Sequence, residues 1–302
     1  MNLASSVSVK KMSCKSTMWS NLVLSGGGLA AITYFGCLKY INEHQDMRGQ
    51  IKNVLGVSSG SIFSLLLILG CTLEDCKEWL SDVKEMNLNK INLKSLVTFK
   101  TDFGLDDGEG VKNAVKKLLD RKKVNHDITF KQISQIYGKN LIICSANISK
   151  KNLFYFSVDT TPELHVIDAI KASTSIPLIF TPYVLDGEYH VDPFVYDNFP
   201  FHFFENSEHT IGLNLTTRAN VNSNFMNFFT NIFNSIIYFN SVKKHKNECL
   251  LVGQGSGFDL RKMKFIIDDD TVDQQIIYGY ETLKDFVETR IRTFQQNLES
   301  VP

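Results

Sequence analysis

Two short apolar runs near the start of the chain each end in small residues and lead into a helical pattern. The first, Asn21 to Leu24, runs into Ser25-Gly26-Gly27-Gly28, after which apolar residues recur at helical spacing. The second, Ile51 to Leu55, runs into Gly56-Val57-Ser58-Ser59-Gly60 and then into Ile62 to Leu69, which is apolar on every side and predicts a buried helix. This alternation predicts an α/β fold, with a mostly parallel central sheet and helices on both faces.

The rest of the chain continues the mixed pattern without an internal repeat. Further strands are predicted at 141–144, 153–158 and 211–215, a hairpin at 248–252 and 258–267, and a final amphipathic helix at about 272–298. Prolines at 177, 182, 193 and 200 predict a long loop-rich passage that lies over the sheet. An apolar stripe over 225–242 predicts a helix that either packs in the core or contacts lipid.

Composition and charge narrow the class of protein. The 302 residues are 43% apolar and 21% charged with zero formal net charge, which argues against disorder, a multi-span membrane protein and a nucleic-acid partner. No apolar run approaches the ~20 residues of a membrane-spanning helix, and residues 1–18 have no signal-peptide pattern and predict a mobile tail. The six cysteines show neither a CxxC pair nor a zinc-binding spacing, which indicates a reducing compartment. We expect a cytoplasmic protein with at most peripheral membrane contact, and no metal or cofactor.

The sequence Gly56-Val57-Ser58-Ser59-Gly60 has the spacing of a nucleophile turn. A serine at the tip of a sharp strand-to-helix turn has a strained backbone, and side chains two residues to either side would clash with it. Glycines at 56 and 60 remove that clash, while a turn of small residues without chemistry is the alternative. The preceding strand and the following apolar helix favour Ser58 as a nucleophile.

The glycines at 26–28 also lie between a strand and a helix, where backbone N–H groups can bind an anion. A dinucleotide loop is disfavoured because the third glycine of G-x-G-x-x-G is replaced by Ala31, and a Walker lysine is absent. An oxyanion hole uses the same donors and fits a serine nucleophile one strand–helix unit away. None of the seven histidines stands in a signature setting for a catalytic base, and Ser58 comes too early for an α/β-hydrolase.

With these motifs, the chain resembles the patatin-like phospholipases in four blocks between about residues 21 and 200. These are the glycine-rich segment 25–36, the nucleophile motif 56–60, the segment Ala172-Ser173-Thr174-Ser175-Ile176-Pro177, and the acidic block from Asp192 to Pro200. The resemblance implies one domain over 19–302, with a catalytic core at about 19–215 and a helical and hairpin part at 216–302. It also implies a three-layer patatin-like fold.

The family uses a Ser–Asp dyad, which implies Ser58 as nucleophile, Asp192 as general base and Gly26, Gly27 and Gly28 as oxyanion donors. Asp186, which precedes Gly187, lies too far from Asn198 and Pro200 to be the acid. The implied activity is acyl-ester hydrolysis of phospholipids or lysophospholipids in membranes or micelles. Alternatives are a neutral-lipid lipase or acyltransferase, or a weakly active or non-catalytic lipid-binding protein. The oligomeric state is left open.

Two positions depart from the family pattern. Ala30-Ala31 replaces a basic residue and a glycine after the oxyanion loop, so a positive charge there is missing. Pro193-Phe194 replaces the glycines after the acid, and Pro193 removes one backbone donor. Both departures leave the reacting atoms in place but alter their support, so reduced or altered activity is the expectation they raise.

Overall fold

The computed structural model describes residues 19–86, 93–217, 235–236, 247–253, 258–259, 264–265 and 268–299. The tail at 1–18 and nearly all of the helix predicted over 225–242 lie outside these residues. The strands are β1 Asn21–Leu24, β2 Asn53–Val57, β3 Gly104–Asp106, β4 Asn140–Asn147, β5 Asn152–Phe156, β6 Leu178–Phe180, β7 Tyr183–Leu185, β8 Glu188–Val191, β9 Thr210–Thr217, β10 Glu248–Gly253, β11 Phe258–Asp259 and β12 Lys264–Phe265.

The main sheet is mostly parallel, as the alternation of strand, turn and helix predicts. Its order in the described part of the chain is β10-β9-β1-β2-β4-β8-β7, and the strands from β10 to β4 all run parallel. The strands β5, β8 and β7 are antiparallel additions around β4. The predicted α/β class with a mostly parallel central sheet is confirmed.

The helices are α1 Thr33–Glu43, α2 Gln45–Gln50, α3 Ser59–Ile68, α4 Leu73–Glu85, α5 Leu93–Asp102, α6 Glu109–Arg121, α7 Phe130–Tyr137, α8 Val166–Thr174 and α9 Asp269–Glu299. α4 and α7 each begin at a threonine whose hydroxyl accepts an amide hydrogen bond of the first turn, in a capping box. α3 is buried along nearly its whole length, as its uniformly apolar sequence predicts. α9 packs along α1 and closes the larger core.

The two faces of the sheet belong to different cores, because neighbouring side chains on a strand point in opposite directions. Leu22, Val54 and Leu141 belong to the larger core, which also contains the apolar faces of α1, α3 and α8. Val23 and Leu55 belong to a smaller core that also includes Phe199 and Phe201. The sheet is therefore buried on both faces, as a parallel sheet requires.

Two sequence predictions about the sheet are wrong. The loop-rich passage with the prolines does not simply lie over the sheet, because it contributes β7 and β8 to the main sheet and β6 to a small sheet with β3. The segments at 248–252 and 258–267 do not pair as a hairpin. Instead, β10 extends the parallel sheet beside β9, where Cys249 and Leu251 are buried, while β11 pairs with β12. Burial of these two side chains favours a place in the main sheet.

Within the described residues, no helix combines the length and the hydropathy that crossing a bilayer requires. The cysteines at 37, 71, 76, 144 and 249 are buried free thiols.

Candidate active site

Ser58 occupies a strained turn between β2 and α3. Its φ of 51° and ψ of −126° are unfavourable for a residue with a side chain. A Cβ atom at Gly56 would lie 2.5 Å from the Ser61 Cα, and one at Gly60 would lie 2.6 Å from the Leu24 carbonyl oxygen. The two glycines of the motif are thus required by close backbone packing, as the sequence predicts for a nucleophile turn.

The β-sheet register brings Asp192 to Ser58. β5 occupies one edge of β4, so β2 and β8 share the other edge and approach each other from opposite directions. β2 ends with Val57 opposite Cys144, and β8 ends with Val191 opposite Ala146. The residues that follow, Ser58 and Asp192, therefore meet near the level of Ser145.

The Ser58 hydroxyl donates a hydrogen bond to the Asp192 carboxylate, and both residues are buried. Ser58 is 7% exposed and Asp192 is 1% exposed. Burial raises the pKa of the Asp192 carboxyl from its ordinary 3.8 to about 7, although hydrogen bonds from Ser58 and from the Phe194 amide act in the opposite direction. The carboxylate is thus a stronger base than an exposed aspartate and ionises near neutral pH.

Pro193, the departure from the family pattern beside the acid, is accommodated by the local structure. Asp192 caps a short 3-10 helix, Pro193–Val195, in which the proline occupies the first turn. A helix leaves its first amides unpaired, so proline is tolerated there. The next amide, that of Phe194, donates to Asp192 Oδ1 at 3.1 Å. One donor to the carboxylate is therefore kept.

The end of α8 holds the backbone of both residues. The Ser58 amide donates to the Ser173 hydroxyl at 2.8 Å, and the Asp192 amide donates to the Ser175 carbonyl oxygen at 2.9 Å. Ser173 is fully buried. The sequence places Ser173 in a segment that resembles the family but predicts no contact for its side chain. The only signal was its place in that block, because contacts between distant segments leave no local pattern.

The glycine-rich loop packs directly on the nucleophile. A Cβ atom at Gly26 would lie 2.9 Å from the Ser58 Cβ, so a side chain there would displace Ser58. Asn198 binds the loop on its other side with two hydrogen bonds. Its side-chain Nδ2 donates to the Gly26 carbonyl oxygen at 2.9 Å, and its backbone carbonyl oxygen accepts from the Gly26 amide at 3.4 Å. The Gly27 amide donates to the Ser59 hydroxyl at 3.1 Å, and Gly28 is exposed with a φ of 56°. The loop amides lie beside Ser58, and their oxyanion role stays a prediction.

Buried polar contacts anchor the start of this loop. The Tyr34 hydroxyl donates to the Ser25 and Leu213 carbonyl oxygens at 3.0 and 2.9 Å, and burial raises the pKa of its phenol. The Ser25 hydroxyl accepts the Leu215 amide at 2.8 Å. Ala30 and Ala31, where the family has a basic residue and glycine, are buried. Ala31 belongs to the larger core.

Asp186 and His190 lie near Asp192 in sequence but do not contact Ser58. Asp186 and Gly187 form the exposed two-residue turn between β7 and β8, with φ of 52° and 80°, as an Asp-Gly hairpin turn requires. His190 is buried, its ring Nδ1 bonds to the Ser145 hydroxyl at 2.9 Å, and burial lowers its pKa. In the described part of the chain, no group of three or more His, Cys, Asp or Glu side chains is arranged to hold a metal.

The fold and the site define a parallel α/β protein with a serine on a nucleophile turn hydrogen-bonded to a buried aspartate. A family model, the patatin-like phospholipase, matches residues 22–204. The chain therefore belongs to the patatin-like phospholipase family, as the sequence resemblance predicts.

Two viral proteins are similar to the chain in sequence, and one bacterial structure shares its fold. A probable lipid hydrolase of Invertebrate iridescent virus 6 is 33% identical over 62% of this chain and 64% of its own length. An uncharacterized protein of Acanthamoeba polyphaga mimivirus is 30% identical over 68% of this chain and 67% of its own length. The match to the iridescent-virus protein thus spans just under two-thirds of that relative. VipD from Legionella pneumophila has a TM-score of 0.61 over 90% of this chain and 67% of its own, at 15% identity, and so shares the fold.

Proposed function

We propose that this protein is a lipid acyl hydrolase that cleaves fatty-acyl esters of phospholipids or lysophospholipids through Ser58 and Asp192. The hydrogen bond from the Ser58 hydroxyl to a buried carboxylate with a pKa of about 7 carries the proposal. A general base whose pKa lies near the working pH combines a large ionised fraction with useful basicity. Family membership and the lipid-hydrolase name of one relative support the substrate class.

In the first half of the reaction, ionised Asp192 takes the Ser58 hydroxyl proton as Ser58 Oγ attacks the ester carbonyl carbon. The carbonyl oxygen becomes an oxyanion, which backbone amides of Gly26, Gly27 and Gly28 stabilise. The substrate oxygen replaces the present acceptors of two of these amides: the Asn198 carbonyl oxygen for Gly26 and the Ser59 hydroxyl for Gly27. When the ester C–O bond breaks, protonated Asp192 gives its proton to the leaving alcohol, and the acyl group stays on Ser58.

In the second half, Asp192 takes a proton from water, and the resulting hydroxide attacks the acyl-enzyme carbonyl. Collapse of the second oxyanion breaks the bond to Ser58 Oγ, which recovers its proton from Asp192. The products are a free fatty acid and the regenerated serine. The single aspartate thus acts as base and acid in both halves, and no step uses a histidine.

The catalytic unit in this proposal extends over 19–302, beyond the 22–204 that match the family model. β9 and α9 support this extent. β9 accepts and donates the hydrogen bonds that anchor Ser25, and α9 packs along the helix that follows the glycine-rich loop.

The deciding experiment is labelling with a fluorophosphonate probe followed by peptide mapping, alongside fatty-acid release from phosphatidylcholine and lysophosphatidylcholine. We expect labelling at Ser58 and turnover of at least one lipid. Ser58→Ala removes both while leaving the thermal unfolding temperature close to wild type, because one hydroxyl on the turn contributes little packing. Ser64→Ala is the matched control, since this buried serine lies in α3 and bonds to the Gly60 carbonyl.

The outcomes separate the alternatives. Hydrolysis that persists in Ser58→Ala at more than a few per cent of wild type places the nucleophile elsewhere. Release of fatty acid from triacylglycerol alone replaces the phospholipid substrate with a neutral lipid. Lipid binding without labelling or turnover supports the non-catalytic alternative.

A further inference from the structure

The active site lies at the carboxyl ends of the parallel strands. The pairing of β4 with β8 extends further in the same direction. Ser58 and Asp192 meet near the level of Ser145, and the pairing continues past them to Asn147 and His190. The amide of Ile148 then donates to the carbonyl oxygen of Tyr189 at 3.0 Å. Ile148 and Tyr189 therefore lie beyond Ser58, at the carboxyl end of the parallel strands.

Five exposed apolar residues surround this projection, and we call them the apolar rim: Phe103, Ile148, Leu178, Val184 and Tyr189. Val184 and Tyr189 are direct cross-strand partners, and the Phe103 and Tyr189 rings pack edge to face with centroids 6.0 Å apart. Leu178 is the register partner of Gly104, the residue after Phe103. Leu178 also follows the end of α8, which holds the Ser58 and Asp192 amides. Phe103, Tyr189, Val184 and Ile148 thus lie together, and Leu178 lies on the strand beside Phe103 and follows the helix that holds the active site.

Two of the rim residues are held outward at a cost in backbone energy. Phe103 has a φ of 55° and is 51% exposed, and Leu178 has a φ of 69° and is 49% exposed. Bulky residues rarely adopt this left-handed region, and strained positions of this kind cluster at functional sites. Neither residue gains full burial in return, so the stability of the folded chain does not account for their placement.

The charges around the rim are balanced. Exposed or half-exposed charged side chains within three residues of a rim residue comprise three lysines and three acids: Lys100, Lys150, Lys151, Asp102, Asp186 and Glu188. Lys150 and Glu188 pair at 2.6 Å. An anionic surface favours a net positive rim, whereas paired charges of both signs complement a headgroup that carries both a phosphate and an ammonium.

We propose that the apolar rim is the surface by which the protein inserts into the interface of a zwitterionic phospholipid membrane. The proposal rests on the proposed function, since a lipid substrate at the Ser58 edge has to come from such a surface. Phe103 and Leu178 enter the acyl boundary, and the mixed charges meet phosphocholine groups. In this arrangement, the end of the sheet at which Ser58 lies faces the membrane.

The test is binding of phosphatidylcholine vesicles to the double variant Phe103→Asn plus Leu178→Asn, measured by flotation in the Ser58→Ala background so that no lipid is consumed. Asparagine tolerates the left-handed region better than phenylalanine or leucine, so the substitutions relieve strain and the thermal unfolding temperature should not fall. We expect vesicle binding to weaken at least tenfold. With Ser58 intact, the same double variant should keep wild-type hydrolysis of a short, soluble ester.

Two controls match the variant. Ile136→Gln removes a still more exposed apolar residue, 65% exposed, from α7. This helix leads into the amino end of β4 and thus lies at the opposite end of the strands. Lys123→Asn changes another residue with positive φ, away from the rim. Both controls should bind vesicles as the Ser58→Ala parent does.

Unchanged vesicle binding by the folded double variant would overturn the proposal. So would a parent protein that binds only anionic vesicles, or a parent that forms a dimer in solution which the double variant loses. Absence of probe labelling and of lipid turnover in the wild-type protein, with vesicle binding still lost in the double variant, refutes the proposed function and leaves the membrane surface standing.

Discussion

The amide of Ser58 donates a hydrogen bond to the hydroxyl of Ser173, 2.8 Å away, in a buried part of the structure. Two residues further along the chain, the Ser175 carbonyl accepts the Asp192 amide. The end of α8 therefore connects the backbones of the proposed nucleophile and the proposed base, which come from distant parts of the sequence. The distance between Ser58 and Asp192 therefore depends on this helix end as well as on the pairing of the strands.

Ser173→Ala should lower kcat at least tenfold and change KM little. The variant leaves the Ser58 amide without its acceptor, at a cost of about 1–3 kcal/mol, and the strained turn can relax away from Asp192. Steady-state kinetics on a soluble ester separates kcat from KM. Ser173→Thr keeps a hydroxyl and should restore part of the rate.

Thr174→Ala is the matched control for Ser173, because its hydroxyl bonds only to carbonyls of α8 itself, those of Ile170 and Lys171. It should keep wild-type kcat. Equal losses in Ser173→Ala and Thr174→Ala would show that helix stability matters here and the contact with Ser58 does not.

Asp192→Asn should lower kcat/KM by about 10²–10⁴, because an amide cannot take the Ser58 proton and general-base catalysis is worth a factor of that size. Asp186→Asn should have a mild effect, because Asp186 lies in an exposed turn. Asparagine also suits the positive φ of Asp186. Kinetics on the same ester distinguishes the two, and a reversed order would assign the base to Asp186.

Activity should rise with pH through about 7. Burial raises the Asp192 pKa to about 7, and only the ionised carboxylate accepts the Ser58 proton. Below that pH, kcat/KM should fall about tenfold per pH unit. A profile measured from pH 5 to 9 checks this, and a rate that stays flat from pH 5 to 8 would contradict a buried aspartate base.

Asp192→Asn should also stabilise the protein at high pH. The folded-state pKa of about 7 exceeds the ordinary value of 3.8, so the folded protein binds more protons between these values. The free energy of unfolding therefore falls as pH rises through this window, by roughly 4 kcal/mol in total. Urea unfolding should show a larger advantage of Asp192→Asn at pH 8 than at pH 5, and an equal advantage at both would exclude the linkage to Asp192.

Chelation of calcium should leave hydrolysis unchanged, because backbone amides stabilise the oxyanion in the proposed reaction. The measurement compares fatty-acid release in chelator with release in added calcium. Dialysed protein and vesicles of one composition serve both arms. Activity that disappears in chelator and returns with calcium would contradict the proposed reaction.

Much of the site is encoded locally in the sequence. Glycines at 26, 56 and 60 mark positions where another chain segment approaches too closely for a Cβ atom, and that requirement is visible as a motif. The preference for Asp192 over Asp186 followed from spacing to Asn198 and Pro200. In the structure, Asn198 binds the glycine-rich loop and Asp186 forms a hairpin turn, while the catalytic role of Asp192 stays a prediction.

Contacts between distant segments were the part that the sequence did not reveal. The proline-rich passage has no strand pattern of its own. β8 forms because it pairs with the free part of the β4 edge, and β7 forms because it pairs with β8. The apolar run at 248–252 is compatible with a hairpin or with a parallel strand, and only the neighbouring β9 decides for the second. Which strand each of these segments pairs with depends on which strand edge is unpaired in the folded chain.

The sequence by itself thus determined the fold class and predicted the nucleophile turn, because glycine sterics and strand–helix alternation are short-range properties. The assignment of Asp192 as the acid comes from the family resemblance and stays a prediction. Tertiary structure alone decided that Ser173 holds the Ser58 amide, that burial brings the Asp192 pKa to about 7, and that Phe103 and Leu178 stand exposed beside the site. Each of these depends on the distance between segments far apart in the chain or on exclusion of water, and both arise only when the chain is folded.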